Sequence, residues 1–476
     1  LYTRAKELVT KTGFTGNNPY SAYPRKERIK FTIQVKDDVT GTYVPKTAYL
    51  DMIQVRRIEN PKGVWRSAGN SDNFHVTLMR LPYDDAEDFK PFNSEGAWSA
   101  TIVEGGDDFI TLRSTVEGSG SDNAQQTGVK SIEGAGEHPI DFWIDFKGTI
   151  PEGATPRCAI VRVRYHNYTC EHDIFVRQGY APITINGNAE SNNNPAWTSY
   201  NVYRFDANNA PVYTKSPLEE GSLFRRGNRT AILASNNDRS GFTFGVEPTG
   251  SFNVLEFGSA TTSQKTWSQL APSADDVKSR FASWSIAGDH ERIATIEDFY
   301  TLESTSIHSN INKAYGVLYG DGATETQKSV KEAFGYDHNE DPTNSKKGMR
   351  GCFVFNVNNS RNIFFPIGKS GYGRRKGMTS NGEKVGTLRY AQRTDYYNND
   401  GTGNIQYVPL FYDLFERPGA IYQCRNRLES TNNEVKNSSA FDINYFTMGF
   451  EGFENGASNN NNGSDSDACF IRTVKY

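Results

Sequence analysis

The sequence predicts a mainly β protein, with N-terminal β-sandwich modules followed by a larger α+β unit. Three observations carry that expectation. The segments IDFWIDF (140–146), RCAIVRVRY (157–165) and DIFVRQ (173–178) alternate apolar with polar or aromatic side chains, the pattern of half-buried strands. Apolar content is low at 36% while aromatics are high at 13%, which suits sandwich cores filled by Tyr and Phe between polar loops. The best helical signals are two short stretches in the C-terminal half, ADDVKSRF (274–281) and TIEDFYTLE (295–303).

At 476 residues the chain is long enough for two to four domains, each with its own core. Residues 1–20 are polar and turn-rich, with one short apolar run at Leu8-Val9. Strands are expected at RIKFTIQV (28–35), YLDMIQV (49–55) and FHVTL (74–78), which make residues 1–90 an N-terminal β domain. A second β unit spans 91–185, with an exposed Ser/Gly/Asn-rich loop at 118–126. Its last two strands read as an antiparallel hairpin. A turn at Asn167-Tyr168 sets Cys158 opposite Arg177, so Cys158 and Cys170 are not cross-strand partners.

The NGNAESNNNP run (186–195) is a linker candidate and opens a connecting β region, 186–265, whose first strand is WTSYNVY (197–203). Residues 266–476 form the larger unit. There Thr295 fits a helix N-cap supported by Asp298 three residues on, with Phe299 and Leu302 sharing one face. Strands follow at GCFVFN (351–356), NIFFPIG (362–368), AFDINYF (440–446) and ACFIRTVK (468–475).

The net charge of −4, with no basic stripe interleaved with aromatics, gives no reason to expect nucleic acid. No apolar run approaches the roughly 18 residues of a membrane helix, so no membrane span is expected. The first residue is Leu1, not Met, and the expectation is a mature protein whose export signal has been removed. The five cysteines form no CxxC pair, which excludes a zinc ribbon or a thioredoxin-type motif. Most are expected to serve as buried small apolar groups.

Each chemical motif competes with a plainer reading. His166 and His172 flank the hairpin turn and could approach one metal ion, but the expected register puts them on opposite faces. Asp289-His290-Glu291, with Ser283 or Ser285, lacks any Gly-x-Ser-x-Gly elbow or His-Glu-x-x-His context. The carboxylate pairs Asp84-Asp85 and Asp107-Asp108 are adjacent in sequence, not facing as glycosidase chemistry needs. GKSGYGRRKG (368–377) lacks phosphate-loop spacing and reads as a cationic loop suited to an acidic ligand. DYYNNDGTGN (395–404) fails as an EF-hand, because Tyr396 and Tyr407 stand where acids belong; an irregular calcium loop stays open. The expectation is a protein that is not an enzyme, with no metal site and no cofactor.

Residues 95–181, ending in IFVRQGYA, resemble the BACON family of immunoglobulin-like modules on Bacteroidetes surface proteins. Residues 266–476, with the RIAT helix entry (292–295), the NIFFP strand and the terminal IRTV, resemble the major paralogous surface domain of Fibrobacter and Bacteroidetes. That domain is related to the C-type-lectin-like fold. Two departures stand out: TLRYAQ (387–392) replaces the usual Trp-Ser-Ser-Thr, and the Trp-Asn-Asp of calcium-binding lectins is missing, so calcium-dependent sugar binding is not carried over. The combination resembles the tip-associated fimbrial proteins of Bacteroidales. The resemblance implies adhesion as a fimbrial tip or accessory subunit at the cell surface, exported across the outer membrane. The implied partners are other fimbrial subunits and a host or bacterial surface protein or glycan, with subunits assembled by strand exchange.

The alternative function is a carbohydrate-binding surface protein of a polysaccharide-utilisation system. In either case the expected ligand surface lies within 371–412, where Tyr372, Arg374, Arg375, Arg389, Arg393, Tyr396 and Tyr397 concentrate the residue types that dominate interface energies.

Overall fold

The computed structural model describes residues 25–54, 59–80, 90–115, 126–136, 139–225, 228–233, 250–270, 290–302, 310–321, 348–366 and 467–476. It also describes short strands at 372–373, 396–397, 405–406, 419–424, 439–444 and 449–453. The protein is mainly β. Among the described residues there is one α-helix, α1 (Ile296–Tyr300), and one 3-10 turn, Ser268–Leu270.

The first two strands, β1 (Arg25–Lys36) and β2 (Tyr43–Gln54), pair only with each other. They are followed by β3 (Gly63–Arg66), β4 (Phe74–Thr77), β5 (Trp98–Gly105), β6 (Ile110–Ser114), β7 (Ser131–Gly134) and β8 (Asp141–Phe146). The predicted hairpin is β9 (Arg157–Tyr165) and β10 (Cys170–Gln178), and β11 (Ala196–Phe205) opens the next region. Later come β12 (Ile311–Tyr319), β13 (Met349–Asn356), β14 (Asn362–Pro366) and β15 (Arg472–Lys475).

One eight-stranded sheet runs in the order β7-β5-β9-β10-β3-β12-β13-β14. Its pairings are antiparallel except around β3, which lies parallel to both β10 and β12. Strands from the N-terminal third and from the C-terminal region therefore share one hydrogen-bonded surface. The β4-β8-β6 sheet packs across its first half. Between them lie Trp98, Phe142, Ile144, Val161, Val163, Ile174 and Val176, all fully buried. This is a β-sandwich, produced by period-two alternation on strands whose inward residues are aromatic or β-branched.

The β9–β10 register sets Cys158 opposite Arg177 and Tyr165 opposite Cys170, as the turn position predicts. The turn takes three consecutive left-handed residues, His166, Asn167 and Tyr168, at φ 52°, 55° and 64°. Asn167 holds it: its N–H donates to the Ala97 carbonyl at 3.0 Å, and its Oδ1 accepts from the Ala97 N–H at 3.1 Å. These bonds offset the strain of φ > 0 at non-glycine positions.

The runs Ala159-Ile160-Val161 and Ile174-Phe175-Val176 have apolar residues at every position, and the structure shows why. Val161, Ile174 and Val176 face the sandwich core, while Ile160 and Phe175 enter a second core with Trp65, Leu318, Phe353 and Phe364 on the opposite face. The sheet is buried on both faces there, as continuous apolar runs indicate. A further core, with Trp197, Phe299, Val354, Phe365 and Tyr422, lies in the C-terminal part.

Two expectations change. The segment 186–195 is not a free spacer, because it is folded by Asx turns (Asn188 N–H to Asn186 Oδ1 at 2.9 Å) and a Ser191–Asn194 bridge. Just before it, the Ile185 carbonyl accepts from Asn356 Nδ2 at 3.2 Å and Asn359 Nδ2 at 3.3 Å. The single strand expected over 468–475 is two: Asp467–Cys469 joins a six-stranded sheet, whereas β15 joins β11 and Glu291–Ile293. Phe470 and Ile471, between them, point into different cores. The helix expected at 274–281 and most of the loop at 118–126 lie outside the described residues.

Close strand approach makes a specific demand at Gly351. A Cβ there would stand 2.3 Å from the Phe364 ring and 2.4 Å from the Phe365 carbonyl oxygen, and that backbone atom cannot swing aside. Gly351→Ala is expected to lower unfolding free energy by about 1–3 kcal/mol in urea titrations. Gly69→Ala, where a Cβ meets nothing within 4 Å, is the control expected to leave it nearly unchanged.

Candidate functional site

The start of the predicted ligand segment is held by the C-terminal framework. At its start, Tyr372–Gly373 pairs antiparallel with Ala468 and Asp467 and forms the edge strand of the six-stranded sheet. That sheet continues through Asp467–Cys469, Ser222–Arg225, Ala231–Leu233, Ser251–Leu255 and Thr262–Thr266. Beyond the segment's end, the Gly419–Cys424 strand sends Tyr422 into the core, fully buried against Phe365 (5.5 Å) and Phe299 (5.8 Å). Its hydroxyl accepts from Asn201 Nδ2 at 3.2 Å. Burial pushes the Tyr422 phenol up, opposed by the nearby Arg472 guanidinium and the Asn201 bond.

Tyr396 and Tyr397 form a two-residue strand paired with Gln406 and Ile405. Arg374, Arg375, Arg389 and Arg393 lie outside the described residues, as do Gly401 and Gly403 of the 395–404 loop.

Beneath this region the helix entry is built as the sequence indicates. Thr295 Oγ1 accepts from the Asp298 N–H at 3.1 Å, and Asp298 Oδ2 accepts from the Thr295 N–H at 2.8 Å, a reciprocal capping box. Asp298 also takes a bidentate pair from Arg292, at 2.5 and 3.1 Å, in a largely buried position. Phe299 and Leu302 then sit side by side in the core.

Sequence reasoning did not anticipate the buried arginines. Arg177 is fully buried and donates to the carbonyls of Gly179 (3.2 Å), Asn362 (2.6 Å) and Ala181 (2.8 Å), and to Ser199 Oγ (2.9 Å). Its guanidinium lies 4.5 Å above the Trp65 ring. Burial lowers its pKa to about 10, which leaves it charged at neutral pH. Arg472 donates to the Thr198 carbonyl at 2.8 Å and the Phe364 carbonyl at 3.1 Å, over the Phe365 ring. The available signal was positional: Arg177 shares the face of Phe175, which is solvent-facing only if nothing covers the sheet.

The other chemical candidates are placed in structural roles. His166 Nδ1 accepts from the Glu95 N–H at 2.8 Å, and His172 Nε2 contacts the Pro61 carbonyl at 2.7 Å; both rings are buried. Asp107 pairs with Lys130 at an exposed site. Glu291 accepts from Thr473 Oγ1 at 2.7 Å, while Asp289, Ser283 and Ser285 lie outside the described residues. Cys158, Cys170 and Cys352 are free thiols, and burial pushes the Cys158 thiol up. Among the described residues no three His, Cys, Asp or Glu side chains converge on a metal position, and no helix is long and apolar enough to cross a membrane.

The fold defines a class: a mainly β protein built from several sheets. The chain matches no family model and no curated protein. Among solved structures it is similar to domains 4 and 5 of the S-layer protein SbsC, at 14% identity and a TM-score of 0.14, over 36% of this chain and 74% of that one. Neither fold nor role is taken from so slight a likeness.

Glu291 gives this region a pH signature. Burial raises its pKa above the usual carboxylate value, partly opposed by the Thr473 bond and by Lys475. A raised folded-state pKa means the stability tied to this group is fully present below the unfolded value and is lost as pH rises through the folded one. Glu291→Gln, which can still accept from Thr473, is therefore expected to melt above the parent near neutral pH, with the difference vanishing below about pH 4. Calorimetry across that range checks the sign.

Proposed function

We propose that this chain is a non-enzymatic cell-surface adhesin, a fimbrial tip or accessory subunit whose β modules hold out a C-terminal lectin-like domain. The observation that carries the reading is the anchoring of 371–412. The segment leaves from a sheet edge at Tyr372–Gly373 and is followed by a strand locked into the core through Tyr422. A recognition segment needs a rigid mount of that kind. The eight-stranded sheet supports the same reading, because it joins N-terminal and C-terminal strands into one stiff support.

Within the segment, Arg374, Arg375, Arg389 and Arg393 favour an acidic ligand, and Tyr372, Tyr396 and Tyr397 supply apolar area at modest entropic cost. The sequence resemblances of 95–181 and 266–476 to surface modules support this reading, in which the protein is exported and other fimbrial subunits are its partners. This reading assigns no catalysis, because the sequence offers no recognised spacing of nucleophile, base and orienting group.

The test replaces Arg374, Arg375 and Tyr396 together with Ala. Adhesion is expected to fall at least about tenfold while the melting temperature stays within a degree or two of the parent. A folded triple variant that adheres like the parent would move the site elsewhere. Glycan arrays separate protein adhesion from the polysaccharide-capture alternative, and ester, peptide and glycoside substrates should all be left intact.

A further inference from the structure

Among the described residues, the β1–β2 ribbon is well made yet bare on one side. Its twelve cross-strand pairs run without a break from Arg25–Gln54 to Lys36–Tyr43. The turn is built around Asp37, whose Oδ1 accepts from the N–H groups of Val39 (3.0 Å) and Thr40 (2.8 Å), while Gly41 takes φ 69°. Directly opposed residues share a face. One face therefore collects Arg28, Lys30, Thr32, Gln34 and Lys36 with Tyr43, Pro45, Thr47, Tyr49 and Asp51.

The other face collects Ile29, Phe31, Ile33 and Val35 with Val44, Ala48 and Leu50. These side chains are exposed where a sandwich sheet would bury them: Ile33 at 62%, Leu50 at 48% and Phe31 at 40%. A lone two-stranded ribbon is marginally stable in water, and a contiguous apolar face marks a contact surface. In the middle of this face, opposite Ile33, stands Lys46.

That lysine decides what covers the face. A second copy laid face to face would bring Lys46 against apolar side chains, which is the design that blocks self-pairing. A bilayer would leave backbone donors and acceptors unpaired along the outer edges of the ribbon. We infer that the apolar face of β1–β2 docks a different protein, through an apolar β surface that carries a carboxylate to meet Lys46. This inference is independent of the ligand segment at 371–412.

The probe is a disulfide-closed β-hairpin peptide with an apolar face bearing one central Glu, compared with the same peptide bearing Lys there. Binding to the full chain is followed by calorimetry. The Glu peptide is expected to bind at least about tenfold tighter, Lys46→Glu to reverse the preference, and Ile33→Ser to weaken both. Circular dichroism and melting should match the parent for both variants, because both residues are exposed. Equal binding of the two peptides, or indifference to Lys46→Glu, overturns the proposal. So does a dimer of the free chain that Ile33→Ser dissolves, which would make the cover a second copy. Flotation with phosphatidylserine vesicles that Ile33→Ser abolishes, without peptide discrimination, would overturn it in favour of lipid.

Discussion

The guanidinium of Arg177 is the point on which the architecture turns. It sits at the end of β10, where the Gly179–Ala181 turn, β11 and the start of β14 meet, and it bonds to a carbonyl or hydroxyl of each of these three. No carboxylate is among these partners. The charge is held by main-chain oxygens and by the face of Trp65. A buried ion without partners costs several kcal/mol, so the arrangement tolerates little rearrangement of those carbonyls. Arg472 acts in the same way between β11 and β14, and Arg66 takes the Gly320 carbonyl at 2.6 Å and that of Asp72 at 2.9 Å. These arginines act as polar staples between strands far apart in sequence. Arginine suits the task because its planar fork offers five donors to several acceptors at once.

The short β3 strand supplies the other half of the junction. Its position between β10 and β12 makes the only described parallel pairings of the eight-stranded sheet, and parallel strands need long crossovers. Val64 and Trp65 then serve two cores at once, one on each face. Gly63 lets the Phe353 ring lie where a side chain would be, at 2.4 Å from an added Cβ. A sheet buried on both faces across this junction is held as one unit. The β1–β2 ribbon stands in contrast: the same alternation builds it, but among the described residues no second layer covers its apolar side.

Local features of the sequence specified local structure well. Alternation located β8, β9 and β10. The turn at Asn167-Tyr168 fixed the β9–β10 register, and Thr295 with Asp298 marked a capping box that forms as read. These depend on neighbours within a few residues, so the chain's own periodicity carries them. The candidate site is legible only in composition. Tyr372, Tyr396 and Tyr397 fall on short strands, and the segment's anchoring through Tyr422 could not be read locally, since that ring's partners come from Asn201, Phe299 and Phe365.

By itself, then, the sequence determined a mainly β chain, the faces of its strands and the registers of its tight turns, because side-chain period and turn chemistry act over short range. Only the tertiary structure decided the order of strands in the long sheet, the parallel insertion of β3, the division of 467–475 between two sheets and the burial of Arg177 and Arg472. Each of those depends on which distant segment covers a given face. Alternation states that a face is apolar, but the partner is chosen by closing long loops and by satisfying buried donors, and both are properties of the whole fold.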